Sequence, residues 1–307
     1  EKKWTHTSRD AWCAKNDIRL RKTILNGIPD TPDKDNNINM RHIISYIATI
    51  LIAVAANAQT EKKLVIFHTN DTHSCIMPMN ENLADTAVAG RGGFLRRIAM
   101  LEEERKKNPD IMYFDSGDFS QGSAYYTMYK GEVEVGLMNM MGITAATLGN
   151  HAWDYGMEQL SKNIRQATFP VVCTNCDFTD TPLEKLVKPY IIIKRNGVKI
   201  GVIGVTTQLE GLVDKKNYQN VQYLDPAESA GKTAEMLKEK KKCDIIVCIS
   251  HLGWSEQGDI DFIKNTRHID LVLGGHTHTK FKELRYVENL DGKPVAVDQN
   301  GKGGVNV

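Results

Sequence analysis

The sequence has almost no imbalance of charge: 39 basic residues stand against 38 acidic ones, a formal net charge of +1. A broad electrostatic footprint for nucleic acid or for an anionic membrane is thereby excluded, and any affinity for phosphate has to be local. Cysteine is scarce as well. Of the six, Cys13 lies in the N-terminal stretch, while Cys75, Cys173, Cys176, Cys243 and Cys248 form an odd set without the density of a disulfide scaffold. The pair Cys173-Thr174-Asn175-Cys176 lacks the second close pair of a structural zinc site and the early βαβ position of a redox site, so two small residues at a strand end are its first reading. There is no internal repeat, no low-complexity tract and no linker dividing the chain after residue 59. What remains is an ordinary globular composition, 307 residues of which 41% are apolar, enough to fill the core of one large α/β domain.

A long apolar run is missing too. The run over residues 43–55 is broken by Ser45, Tyr46 and Thr49 and is shorter than the ~20 apolar residues a spanning helix needs. It follows Met40-Arg41-His42 and ends in Ala56-Asn57-Ala58, a basic start and a small-x-small end that together read as a signal peptide over residues 40–58. The polar stretch 1–39, with no apolar periodicity, reads as a non-folding leader upstream of the true start at Met40. The mature domain is then 59–307, beginning at Gln59. No cysteine follows the cleavage point, so the expectation is a soluble protein without a membrane anchor, periplasmic or extracellular.

Beyond residue 59, short apolar runs alternate with amphipathic ones, the pattern of an α/β domain. Strands are predicted at 64–67, 111–114, 145–148, 169–172, 245–249 and 271–273. Two more, 190–194 and 198–205, flank Arg195-Asn196-Gly197, where Asn-Gly tolerates the positive φ of a tight hairpin turn. Helices are predicted over 94–107, with Phe94, Ile98 and Leu101 on one face, and over 227–241.

Five segments share one layout, an apolar strand running straight into a short loop that carries His, Asp or Asn. They are Asp71-Thr72-His73, Gly117-Asp118, Gly149-Asn150-His151 with Asp154, Ser250-His251, and Gly274-Gly275-His276-Thr277-His278. Open α/β sheets place their ligands at the carboxyl ends of strands, which is where these loops should meet. In a loop, residues two apart can turn both side chains toward one point, so Asp-x-His and His-x-His are economical ways to offer one ion two ligands. Imidazole together with carboxylate suits zinc, manganese or iron, whereas calcium or magnesium alone would draw mostly oxygen. A single histidine beside a strand is usually a hydrogen-bonded structural residue. Here, though, His73, His151, His251, His276 and His278 all fall in these loops, and after residue 59 only His68 and His268 lie outside them. The glycines before the ligand candidates suit sharp turns and close backbone approach.

Taken in order, Asp71-x-His73, Gly117-Asp118, Gly149-Asn150-His151, His251 and Gly274-Gly275-His276-x-His278 resemble the signature of the calcineurin-like metallophosphoesterases. The flanking text, His68-Thr69-Asn70-Asp71-Thr72-His73-Ser74 and Gly149-Asn150-His151-Ala152-Trp153-Asp154, resembles the 5'-nucleotidase branch, and the likeness runs over residues 64–304. It implies a four-layer α/β/β/α sandwich with two divalent metal ions. Carried over, Asp71, His73 and His278 bind the first ion and Asn150, His251 and His276 the second. Asp118 bridges both, as two cations ~3.5–4 Å apart need a shared anion with two ligating oxygens. The resemblance further implies hydrolysis of phosphate esters, foremost 5'-nucleotides, by a metal-bridging hydroxide attacking phosphorus in line. His151 would then hydrogen-bond the phosphoryl or leaving oxygen, oriented by Asp154.

Departures from the family pattern are Ala152-Trp153 in place of the usual Glu-Phe, and Cys75 where a basic residue is common. Full-length members continue into a second domain that grips the nucleotide base. The expectation is therefore that the chain is truncated at Val307 or works with a separate protein carrying that nucleotide-binding domain, on a small phosphorylated substrate. Arg91-Gly92-Gly93 offers a second anion site or a plain helix start. Alternative readings are a cyclic-nucleotide phosphodiesterase, a nucleotide-sugar hydrolase, or a non-catalytic metal-loaded binding protein.

Overall fold

Strands covered on both faces have no polar alternation to show, and the apolar runs here form such strands: Met112–Asp115 is buried at every position and Ile245–His251 at all but the first. The computed structural model describes residues 62–86, 89–302 and 305–306. The leader and the signal-peptide reading of 40–58 lie outside them. No helix among the described residues is long and apolar enough to cross a membrane.

The first half of the described chain comprises β1 (Ile66–Thr69), α1 (Phe94–Lys107), β2 (Met112–Asp115), α2 (Ala124–Tyr129), α3 (Glu132–Met141), β3 (Ala145–Ala146), α4 (Gly156–Gln166), β4 (Val171–Val172), β5 (Cys176–Asp177) and β6 (Val187–Lys188). The second half comprises β7 (Tyr190–Arg195), β8 (Val198–Thr206), β9 (Gln222–Tyr223), α5 (Pro226–Glu239), β10 (Ile245–His251), α6 (Asp259–Lys264), β11 (Leu271–Leu273), β12 (Arg285–Glu288), β13 (Pro294–Asp298) and β14 (Val305–Asn306). They build two six-stranded sheets, in the orders β14-β1-β2-β3-β4-β6 and β12-β13-β11-β10-β8-β7. In the first, β1, β2, β3, β4 and β6 are parallel and β14 is an antiparallel edge. In the second, β13, β11, β10 and β8 are parallel between antiparallel edges β12 and β7.

Three buried cores separate four layers. Phe94, Leu101, Met138 and Leu160 from α1, α3 and α4 pack on Phe67, Tyr113 and Val171 of the first sheet. Ala230, Ala234 and Leu237 of α5 and Phe262 and Ile263 of α6 pack on Val205, Ile246 and Cys248 of the second. Between the sheets, Met112, Phe114 and Val172 meet Ile200, Val202, Val247 and Ile249. Successive strand residues point to opposite faces, so on β2 Tyr113 joins the helical core while Met112 and Phe114 join the inter-sheet core. Each fully buried aliphatic or aromatic side chain contributes about 1.5–3 kcal/mol relative to exposure. At one point of close approach between the sheets, Thr174 N–H donates to Gly204 O at 2.6 Å. A Cβ on Gly204 would sit 2.1 Å from the Val172 carbonyl oxygen, so no side chain fits there. The architecture is the α/β/β/α sandwich that the sequence resemblance implied.

Helix α1 has the predicted bounds. Helix α5 starts one residue earlier than predicted, because Pro226 takes its first turn and the Asp225 side chain caps it by accepting the Glu228 N–H. The hairpin turn is as read, with φ of 49° at Asn196 and 71° at Gly197.

Candidate metal centre

Parallel β1, β2 and β3 of one sheet and β10 and β11 of the other bring all five motif segments to their carboxyl ends. The loops there are tight: Asp71, His73, Ser74, Asp118, His276 and His278 all hold positive φ, between 41° and 72°. A non-glycine residue in that region costs on the order of 1–3 kcal/mol, and it persists only where the surroundings over-determine it. Here they do. Asp71 N–H donates to Gly117 O at 3.0 Å, His73 N–H to Asp118 O at 2.9 Å and Ser74 N–H to Phe119 O at 2.9 Å, so the first loop is laced to the second. Across the sheets, His276 N–H donates to the Asp71 carboxylate at 2.9 and 3.1 Å. Gly149 makes room for the acid next to it, since a Cβ there would fall 2.0 Å from Asp118 Oδ1.

The side chains gather into two groups, each with its ligating atoms within 4.8 Å of one another: Asp71, His73 and His278, and Asp118, His251 and His276. His73 Nε2 and His278 Nε2 stand 3.0 Å apart, and His278 Nε2 is 3.4 Å from Asp71 Oδ1. His251 Nε2 lies 3.1 Å from Asp118 Oδ2 and 4.0 Å from Asp71 Oδ1, so the groups adjoin. Asn150 is buried with its Oδ1 unpartnered, between Gly149 and His151, whose N–H donates to Asp118 Oδ1 at 3.0 Å. Asp71 and His73, two residues apart, share a group, whereas His276 and His278, at the same spacing, fall in different groups.

Charge alone does not satisfy this cluster. Burial pushes the Asp118 carboxyl up, yet the charge and hydrogen bond of His251 hold it well below the usual carboxylate range. Burial lowers His251, but Asp118 outweighs it and raises the ring to about 9. His73 and His276 are both lowered, mainly by burial. The donor set decides what fits. His251 Nδ1–H donates to the Ser116 carbonyl at 2.6 Å, so its Nε2, 3.1 Å from Asp118 Oδ2, is the nitrogen that shares a proton with that carboxylate and that would instead offer its lone pair to a cation set between them. Imidazole nitrogens and two carboxylates facing one another, with the buried Asn150 Oδ1 left unpartnered in the adjoining loop, are what a pair of divalent transition-metal ions would satisfy.

Beside them, His151 Nδ1 lies 3.1 and 3.3 Å from the Asp154 carboxylate oxygens. That hydrogen bond raises the His151 imidazole above its ordinary value. Its ring meets that of His73 edge-on at 5.5 Å. Tyr126 donates its hydroxyl to His151 O at 3.2 Å.

The sequence model of the family "Calcineurin-like phosphoesterase" matches residues 64–280. The chain belongs to this family. It is 29% identical over 265 residues to the trifunctional nucleotide phosphoesterase protein YfkN of Bacillus subtilis, covering 76% of this chain and 17% of that one. It is 30% identical to the 2',3'-cyclic-nucleotide 2'-phosphodiesterase/3'-nucleotidase of Haemophilus influenzae, over 83% of this chain and 43% of that protein. Among solved structures, the 5'-nucleotidase precursor of Thermus thermophilus superposes with a TM-score of 0.68 at 29% identity, over 80% of this chain and 53% of that chain. The chain thus spans roughly half or less of the length of these relatives.

Calcineurin-like phosphoesterases use two divalent metal ions, and this member of the family has two candidate groups for them. Residues behind the groups were not singled out from the sequence. Asn70 donates to Asp71 Oδ2 at 2.5 Å and to Gly301 O at 2.9 Å. Asp259, fully buried, accepts from Ser250 Oγ at 2.5 Å. Only the position of Asn70 directly before Asp71 hinted at its role. The Arg91-Gly92-Gly93 turn is tied to the preceding loop, with Phe94 N–H donating to Ile76 O at 3.0 Å and Met79 N–H to Arg91 O at 2.8 Å. Cys173 and Cys176 are buried free thiols packed in the first helical core.

Proposed function

We propose that this chain hydrolyses phosphate esters of nucleotides at a dinuclear metal centre. The observation that carries this reading is the pair of adjoining ligand groups with the His151–Asp154 pair beside them. Asp71, His73 and His278 would hold one ion, Asn150, His251 and His276 the other, and Asp118 would be shared. When bound, the ions supply Lewis acidity toward phosphoryl oxygen and lower the pKa of water toward neutrality. The chain's own residues do the rest. Asp154 engages Nδ1 of His151, which leaves Nε2 to donate to the phosphoryl or leaving oxygen as charge develops there. The strained, hydrogen-bonded loops hold their ligands in place before substrate arrives.

Nucleotides are favoured over other phosphate esters because the relatives' names are those of nucleotide phosphoesterases, nucleotidases and cyclic-nucleotide phosphodiesterases. The reading takes residues 59–307 as the hydrolase domain and, from the segment 40–58, places the protein outside the inner membrane. The test is metal analysis coupled to hydrolysis of p-nitrophenyl phosphate, AMP, a 2',3'-cyclic nucleotide and UDP-glucose. Hydrolysis of AMP that disappears with chelator and returns with zinc or manganese is expected. Two bound ions with no hydrolysis of any substrate would favour the metal-loaded binding protein instead.

A further inference from the structure

We propose that His68 and Ser116, which belong to neither ligand group, are positioning residues that fix the ring of His251 and with it the site of the second ion. The inference rests on the assignment of that site proposed above. Both residues are fully buried, His68 on β1 and Ser116 just beyond β2. The Ser116 hydroxyl has one proton, and it goes to Leu273 O on β11 at 2.7 Å. The contact of Ser116 Oγ with His68 Nε2 at 2.9 Å therefore needs its proton from the histidine, and His68 Nε2–H is the donor. On its other side, His68 Nδ1 lies 3.6 Å from Asp298 Oδ2 at the end of β13. The Ser116 carbonyl in turn accepts His251 Nδ1–H at 2.6 Å.

This arrangement matters because the second group is assembled across two sheets. Asp118 comes from the first sheet, His251 and His276 from the second. Their spacing depends on how the sheet ends are set against each other, and the bond from Ser116 Oγ to Leu273 O is a tie between the sheets at that end. The carbonyl that holds His251 has no slack around it. A Cβ on Gly275 would sit 2.9 Å from Ser116 O, and one on Gly117 would sit 2.9 Å from His251 Nδ1. Moving Ser116 thus moves the histidine ring; with its hydroxyl bonds gone, Ser116 keeps its N–H bond to Thr69 O at 2.8 Å but loses its ties to the second sheet and to His68. A metal-ligating histidine is oriented by the acceptor of its other N–H; here that acceptor is itself held by His68.

The experiment is zinc titration of the full chain by calorimetry, alongside the exchange rate of the His251 Nδ1 proton by NMR in the zinc-loaded state. Wild type must first take up two equivalents; fewer would overturn the dinuclear reading itself rather than this inference. His68→Leu, similar in size but without a donor, and Ser116→Ala should each weaken the second equivalent by about 10- to 100-fold and speed exchange of that proton. His68→Gln, whose amide can donate from the place of Nε2, should stay within about threefold of wild type. The double variant H68L/S116A should lose no more than the worse single one, as expected of residues acting through one chain. Unchanged second-site affinity in folded H68L or S116A, or equal loss in H68Q and H68L, would overturn the proposal. Should H68L fail to fold, S116A and H68Q still decide it.

Discussion

His276 and His278 are two residues apart, yet their rings serve different groups: His276 lies with Asp118 and His251, His278 with Asp71 and His73. Each alanine variant should then remove one ion and spare the other. H276A and H278A are each expected to retain about one zinc equivalent by elemental analysis after reconstitution. Loss of both ions from either variant would mean that the two sites do not fill independently.

Loading the two ions should stabilise the fold, since the positive-φ ligand loops are held together across both sheets only by hydrogen bonds and facing charges. An ion present at a hundred times its dissociation constant adds about 2.7 kcal/mol to the free energy of unfolding. Chelator should therefore lower Tm and urea midpoint together. Identical unfolding curves with and without chelator would contradict this.

Asp118→Asn should cost far more activity than Asp154→Asn. The first removes the charge that His251 and, in the proposed centre, both cations rely on, whereas the second loosens a histidine proposed to contact substrate. Loss in D154N is expected at about 10- to 100-fold, in kcat more than in KM. Equal losses in the two variants, with metal retained, would refute the assigned roles.

Two glycines should respond oppositely to alanine. Gly231, in the middle of α5, has nothing within 4 Å of the position a Cβ would take, and Gly231→Ala should stabilise by about 0.5–1 kcal/mol. Gly149→Ala would force a methyl to 2.0 Å from Asp118 Oδ1; overpacking of this kind costs about 1–3 kcal/mol, and displacing Asp118 should release metal. Urea unfolding of both variants, with metal analysis of the second, checks the pair.

Stability should carry a pH signature from Asp259. Burial raises its carboxyl to about 6, against the opposing hydrogen bond from Ser250 and the charge of His251. A raised carboxyl favours folding while protonated, so its contribution is complete below the unfolded value near 4 and is lost as pH rises through about 6. Asp259→Asn cannot ionise and can keep the bond from Ser250. The stability difference between wild type and D259N, by urea unfolding of the chelated protein, should shift against wild type by on the order of 3 kcal/mol between pH 4 and 7. A constant difference across that range would show that Asp259 stays ionised in the fold.

Much of this molecule is legible in its sequence because the deciding signals are local. Doubly buried strands read as short apolar runs, Asn196-Gly197 marks its own hairpin, and Phe94, Ile98 and Leu101 write the buried face of α1. The ligand candidates are legible too, each directly following a strand, and their ordered resemblance to one family carried the four-layer fold. Less of the helical layer was readable: α3 is interrupted by Gly136 and mixes Val with Met, and α6 spans only Asp259–Lys264. Neither leaves a clear helical period.

The resemblance assigned His276 and His278 to different ions, but no local pattern does: spacing alone sends them to one point, as it does Asp71 and His73. The backbone conformation of a loop is set by what it packs against, and here His276 N–H is tied across the sheets to the Asp71 carboxylate. The same is true of the residues behind the site. His68 opens the motif that resembles the 5'-nucleotidase branch, but nothing there shows what it touches: its partners Ser116 and Asp298 lie tens to hundreds of positions away. Short-range pattern fixes what each strand end offers; how two sheets meet fixes what those offers become, because a hydrogen bond or a ligand set exists only between groups that packing has brought within reach.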